Sequence, residues 1–171
     1  MSRTTDCAVV VCSTVFIVIL GVAAYWDPTI RVLHVFEAIP YAATAVLCLR
    51  RNRFGYPLGF ASGTFWLWTA GFLTTFVRNG FERLAMLLRT GTVDRVDILI
   101  AVPAALATGG LALFSVLGYA QRPAKSPRDV LSFLAALVIV PAFFVAIMAA
   151  FAPRYLGMFT PLVHRLSALV H

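Results

Sequence analysis

One stretch of this chain concentrates the side chains that could do chemistry. Within residues 29–41 stand Arg31, His34, Glu37 and Tyr41, a guanidinium, an imidazole, a carboxylate and a phenol. At about 100° per helical residue, His34, Glu37 and Tyr41 fall within about 60° of one another, and Arg31 lies about another 60° round. The three-residue spacing lets His34 and Glu37 bond along one helix. Pro40 follows, where the missing N–H frees the carbonyl of Phe36 and favours a kink. A polar stripe beside exposed backbone acceptors suits a solute or proton pathway. The same stripe could also serve only to bind helices together.

The surroundings make the stripe costly. Hydrophobic residues make up 61% of the chain, charged residues 12%, and the mean hydropathy is +0.90. A soluble domain carries about 25% charged residues. Lipid is therefore the expected solvent, and the expected fold is an all-α polytopic membrane bundle, a single integral domain over residues 1–171. About 20 apolar residues span the hydrocarbon, which gives five expected spans at residues 7–26, 29–49, 55–77, 98–120 and 130–152. The first is read as an uncleaved anchor rather than a signal peptide, because its apolar run is long. Residues 81–89 and 161–171 read as short amphipathic helices at the headgroup level. Counted from Thr29 at 1.5 Å per residue, Glu37 lies about 12 Å deep, where a charge costs about 2.5–3.5 kcal/mol on insertion scales.

The third span brings two further features. Gly55, Gly59 and Gly63 recur every fourth residue, which allows close helix packing inside the bundle or in a homodimer. Trp66 and Trp68 stand deeper than an interfacial belt, where they fill a core or stack on a flat ligand. In the fourth span Pro103, Thr108, Gly109 and Gly110 suggest a kink or close approach, and Pro141 interrupts an apolar fifth.

The net charge of +7 comes from arginines and Lys125 placed between the apolar runs. That placement points to headgroups and orientation rather than nucleic acid. Arg50, Arg51 and Arg53 crowd one turn, and Arg122, Lys125 and Arg128 another. The positive-inside rule then sets a multi-pass protein of the bacterial inner membrane, N-terminus cytoplasmic and C-terminus outside, although Arg78, Arg83, Arg89 and Arg95 stand in the opposite connection. Cys7, Cys12 and Cys48 form no disulfide or zinc pattern and read as small buried hydrophobes.

No catalytic motif is present, and no cofactor is expected. Haem on His34 lacks a second axial ligand, and zinc on His34 and Glu37 lacks a third. Asp94 and Asp97 lie at a helix start, where an N-cap or dipole role suffices.

The run Arg50–Gly59, with Asn52, Phe54, Tyr56, Pro57 and Leu58, resembles a helix junction of nicotinamide riboside (PnuC-type) transporters, with Glu37 upstream. The likeness covers residues 37–68, has Phe54 and Tyr56 where tryptophans are usual, and carries no functional residue over. It implies small-solute permeation. The leading expectation is a small-solute binding or transport site between the second, third and fourth helices, formed by His34, Glu37, Tyr41, Trp66, Trp68 and Arg31. A second is a non-catalytic membrane subunit or assembly factor, acting as a homo-oligomer or with a membrane protein partner. A third is an embedded enzyme acting on a lipid or quinone.

Overall fold

The computed structural model describes residues 3–122 and 126–159, and these are helical with no strand among them. The elements are α1 (Arg3–Trp26), a 3₁₀ turn (Pro28–Ile30), α2 (Arg31–Leu49), α3 (Gly55–Trp68), a π turn (Thr69–Leu73), α4 (Phe76–Thr90), α5 (Val96–Leu99), α6 (Ala101–Ala120), α7 (Pro127–Phe151) and a closing 3₁₀ segment (Pro153–Phe159). Local chemistry explains the boundaries. Asp27 accepts the Thr29 N–H at 3.0 Å, and Pro28 opens the turn into α2. Pro127 opens α7, while the Ser126 N–H donates to the Asp129 carboxylate at 2.8 Å.

Four helices among the described residues are long and apolar enough to cross a bilayer: Thr4–Trp26, Pro28–Leu49, Val96–Ala120 and Pro127–Phe151. The protein is an all-α helical membrane bundle. Residues 55–77, expected as a continuous third span, instead begin with a 14-residue helix that ends in a π turn. Threonines end it. The Thr69 hydroxyl donates to the carbonyls of Phe65 and Trp66 at 2.8 and 2.9 Å, the Thr74 N–H reaches back to Thr69 at 3.0 Å, and Thr74 is extended. Such back-bonding bends helices, and hydropathy does not register it.

The short α3 is also the central element, packed against α2, α6 and α7. Eight of its residues are buried, among them Gly55, Gly59 and Gly63. Around it, α1 packs on α2 and α6, and the faces turned away from protein carry Val11, Val18, Val35, Leu106 and Leu131, all exposed. In water such surfaces would be untenable. Lipid covers them.

After the break, α4 runs amphipathically from Phe76 to Thr90, five residues before the start expected from the pattern at 81–89. It ends at Gly91, whose φ of 71° is a left-handed cap. The second amphipathic segment, 161–171, lies outside the described residues. Pro103 sits in the first turn of α6, where a proline is tolerated, and α7 continues through Pro141. Of the cysteines only Cys48 is buried; Cys12 is half-buried and Cys7 exposed.

At the end of the bundle that carries Arg50–Arg53, the Tyr56 hydroxyl donates to Asp6, and the Arg122 guanidinium lies 4.8 Å from the Tyr56 ring centre. One side chain thus joins α1, α3 and the end of α6. Tyr56→Phe leaves Asp6 without this donor, and a hydrogen bond to a charged group is worth about 1.5–3 kcal/mol. The variant is expected to lose that stability in thermal unfolding, with the secondary structure unchanged.

Candidate functional site

Because α3 stops short, the helices around it continue past its end and enclose a cavity of about 720 Å³. The end of α3 and its π turn contribute Trp66, Thr69 and Ala70; α1 contributes Phe16 and Leu20, and α7 contributes Phe144 and Met148. α2 contributes Leu33, His34 and Glu37. The mouth is more polar, with Asp27, Thr74, Thr75, Asn79, Arg95 and Asp97. It lies at the end of the bundle opposite the Arg50–Arg53 turn, beside the α1–α2 connection and the start of α6.

Inside it, His34 Nδ1 stands 2.7 Å from Glu37 Oε2, and both side chains are 14% exposed. A carboxylate can only accept, so an ionised Glu37 pairs with the tautomer that carries its proton on Nδ1. The helical three-residue step alone brings the two together, since χ angles in α2 direct both toward the same face. Aromatic rings shape the wall beside them: Phe16 meets Trp66 edge-on at 5.2 Å, and Trp66 meets Phe76 at 6.4 Å.

The other members of the stripe go elsewhere. Tyr41, fully buried, donates from its hydroxyl to the Ser62 carbonyl at 3.1 Å and packs on Phe16 at 4.4 Å, so it joins α2 to α3 and does not line the cavity. Arg31 is exposed and turns back to the Ala24 carbonyl at 3.1 Å. Trp68 packs near Phe65 at 6.0 Å and is absent from the wall, whereas Trp66 is part of it. Pro40 is buried inside a continuous α2, its carbonyl accepting from Thr44 Oγ1 at 2.8 Å.

Several lining residues carried no signal in the sequence. Phe16 and Phe144 look like ordinary apolar positions, and Thr69 matters only because the helix breaks there. Asp97 stands in the first turn of α5, as a dipole role requires, and both Asp94 and Asp97 also form ion pairs. Arg95 clasps Asp97 through two bonds of 2.9 and 2.6 Å, and Arg83 lies 3.5 Å from Asp94. At the mouth, hydrogen bonds from the Thr29 hydroxyl and N–H hold the Asp27 carboxyl below the usual carboxylate range, so it stays charged at neutral pH.

Chemically, the arrangement is an apolar chamber with one hydrogen-bonded imidazole–carboxylate pair at depth and a charged rim, the usual composition of a small-molecule pocket. Among the described residues no group of three His, Cys, Asp or Glu side chains is placed to hold a metal ion. No protein-family model matches the chain, and neither any curated protein nor any solved structure is significantly similar to it.

Proposed function

We propose that this protein binds a small solute in the cavity above α3, with His34 and Glu37 as its polar contacts, and that it serves passage of that solute across the membrane. The observation that carries this reading is the 2.7 Å His34–Glu37 pair lining a chamber of about 720 Å³ rather than facing lipid or a dry helix seam. A pair that served only to bind helices together would be closed off by packing, and its neighbours would be side chains of a facing helix. The charged turns at the opposite end, Arg50–Arg53 and Arg128, support a cytoplasmic placement for that end in a bacterial inner membrane, which sets the mouth on the outside.

The deciding measurement is thermal unfolding of the purified protein and of Glu37→Gln across a chemically broad solute panel. A ligand at about 100 times its Kd stabilises the native state by about 2.7 kcal/mol. One solute class is expected to raise the midpoint of the wild type and to lose that effect in Glu37→Gln. A panel without effect on the wild type would sink the reading and favour a subunit that works through protein contacts.

A further inference from the structure

The chemistry of the cavity's ligand can be narrowed from the hydrogen-bonding roles of its walls. Glu37 uses Oε2 for His34, and its second oxygen has no hydrogen-bond partner among the described residues. In the tautomer that donates from Nδ1 to an ionised Glu37, Nε2 of the neutral ring is an acceptor. The Thr69 and Thr74 hydroxyls spend their protons on backbone carbonyls of their own turn, and Thr74 Oγ1 also accepts from the Phe76 N–H, which leaves Thr69 an acceptor only. At depth the chamber therefore offers acceptors, and Trp66 adds a single indole N–H.

Charge points the same way. Five titratable side chains line the cavity: Asp27, His34, Glu37, Arg95 and Asp97. Arg95 and Asp97 neutralise each other through two bonds. Arg154, which donates to Thr29 at 2.8 Å, offsets Asp27 in part. Arg31 keeps its charge but is exposed, bonds the Ala24 carbonyl and does not line the cavity. Within bonding distance Glu37 has only the His34 imidazole beside it. A carboxylate in a chamber of low dielectric calls for a cation.

We infer that the ligand is a protonated aliphatic amine, its ammonium N–H groups bonded to Glu37 Oε1 and His34 Nε2 and its hydrocarbon body lying against Ile30, Trp66 and Phe76. Three N–H donors on one cation satisfy two acceptors and a charge together, with charge-assisted bonds. The half-buried Trp66 ring adds cation–π attraction. An anion would meet acceptors and a like charge. A neutral alcohol would bring one donor and no charge. This inference rests on the solute-site reading above and sharpens it.

The test is thermal unfolding of the full chain in detergent with butylammonium, hexylammonium and phenethylammonium chlorides, each set against the alcohol and the carboxylate of the same skeleton. Partition into the micelle is common to the matched alcohols, so the difference reports the site. The ammonium members are expected to raise the midpoint with an apparent affinity at least tenfold above their alcohols. Glu37→Gln should erase that difference, and Glu37→Asp should keep part of it. Alcohols or carboxylates that stabilise as well as the amines, with the effect lost in Glu37→Gln, would overturn the amine and leave the solute site standing. No stabilisation by any probe would remove both. Should Glu37→Gln fail to fold, the amine–alcohol comparison in the wild type decides alone.

Discussion

Gly63→Leu is expected to leave no folded protein in the membrane fraction. A Cβ at Gly63 would stand 2.5 Å from the Thr108 carbonyl oxygen and 3.2 Å from the Ala112 nitrogen, both backbone atoms of α6. Side chains can rotate away; a helix backbone has to translate, and α6 is wedged between α3 and α1. Even Gly63→Ala should cost about 1–3 kcal/mol, the usual range for overpacking, and Leu exceeds what one helix shift can absorb. Gly59→Ala should be milder, because its Cβ meets the side-chain atoms Ser115 Oγ at 2.6 Å, Thr44 Cγ2 at 2.9 Å and Leu111 Cδ1 at 3.3 Å. Replacing Ser115 by Gly should recover part of that loss, and a double-mutant cycle would measure the coupling. Gly21 meets nothing within 4 Å; Gly21→Ala should be neutral or gain up to about 1 kcal/mol from helix propensity. Size-exclusion profiles and thermal midpoints in one detergent give the ranking. Equal tolerance at Gly63 and Gly21 would mean that α3 and α6 do not approach this closely.

That ranking also shows what the amino-acid pattern could and could not convey. Glycines at 55, 59 and 63 announce a close approach by their spacing, and the structure identifies the partners as Cys48 for the first, α6 together with Thr44 of α2 for the second, and α6 for the third. The four long helices follow from hydrophobic length alone. The third span misleads because hydropathy averages over Thr69, Gly71, Thr74 and Thr75, whereas the backbone responds to where each hydroxyl donates. Helical angles placed His34, Glu37 and Tyr41 on one face correctly, yet the cavity ends between Glu37 and Tyr41. A helical wheel gives direction around the axis and says nothing about how far along it the neighbouring helix stops. For the same reason Trp66 and Trp68 were indistinguishable in the sequence, and only Trp66 lines the chamber. The rim, made of Asp27, Asn79, Arg95 and Asp97, required knowing that the π turn returns α4 toward the α1–α2 connection. No local signal encodes that.

The filling of the chamber, water or lipid, can be tested without any ligand by comparing two adjacent residues of α2. His34 lines the cavity, and Val35, one residue on, is 62% exposed on the outer surface. The two differ in depth by about 1.5 Å, so a barrier of lipid would affect them alike. Thiols react as thiolates, which form in water and not in hydrocarbon. In a background of Cys7→Ser, Cys12→Ala and Cys48→Ala, His34→Cys should therefore react with a water-soluble methanethiosulfonate at least ten times faster than Val35→Cys. Equal rates would mean that the chamber is sealed or filled with lipid, and the solute reading would fall with it. Charge on the reagent adds a second contrast. Glu37 faces the same space, so a trimethylammonium reagent should modify His34→Cys faster than a sulfonate reagent of the same length. At a separation of about 5 Å and an effective dielectric of about 20, one unit charge is worth about 3 kcal/mol before screening, which leaves room for a rate ratio of tenfold or more. The ratio should fall toward one when Glu37→Gln is added. A ratio already near one, or favouring the sulfonate, would show that the carboxylate does not set the potential in the chamber, and the preference for amines would lose its physical basis even if the cavity proved wet.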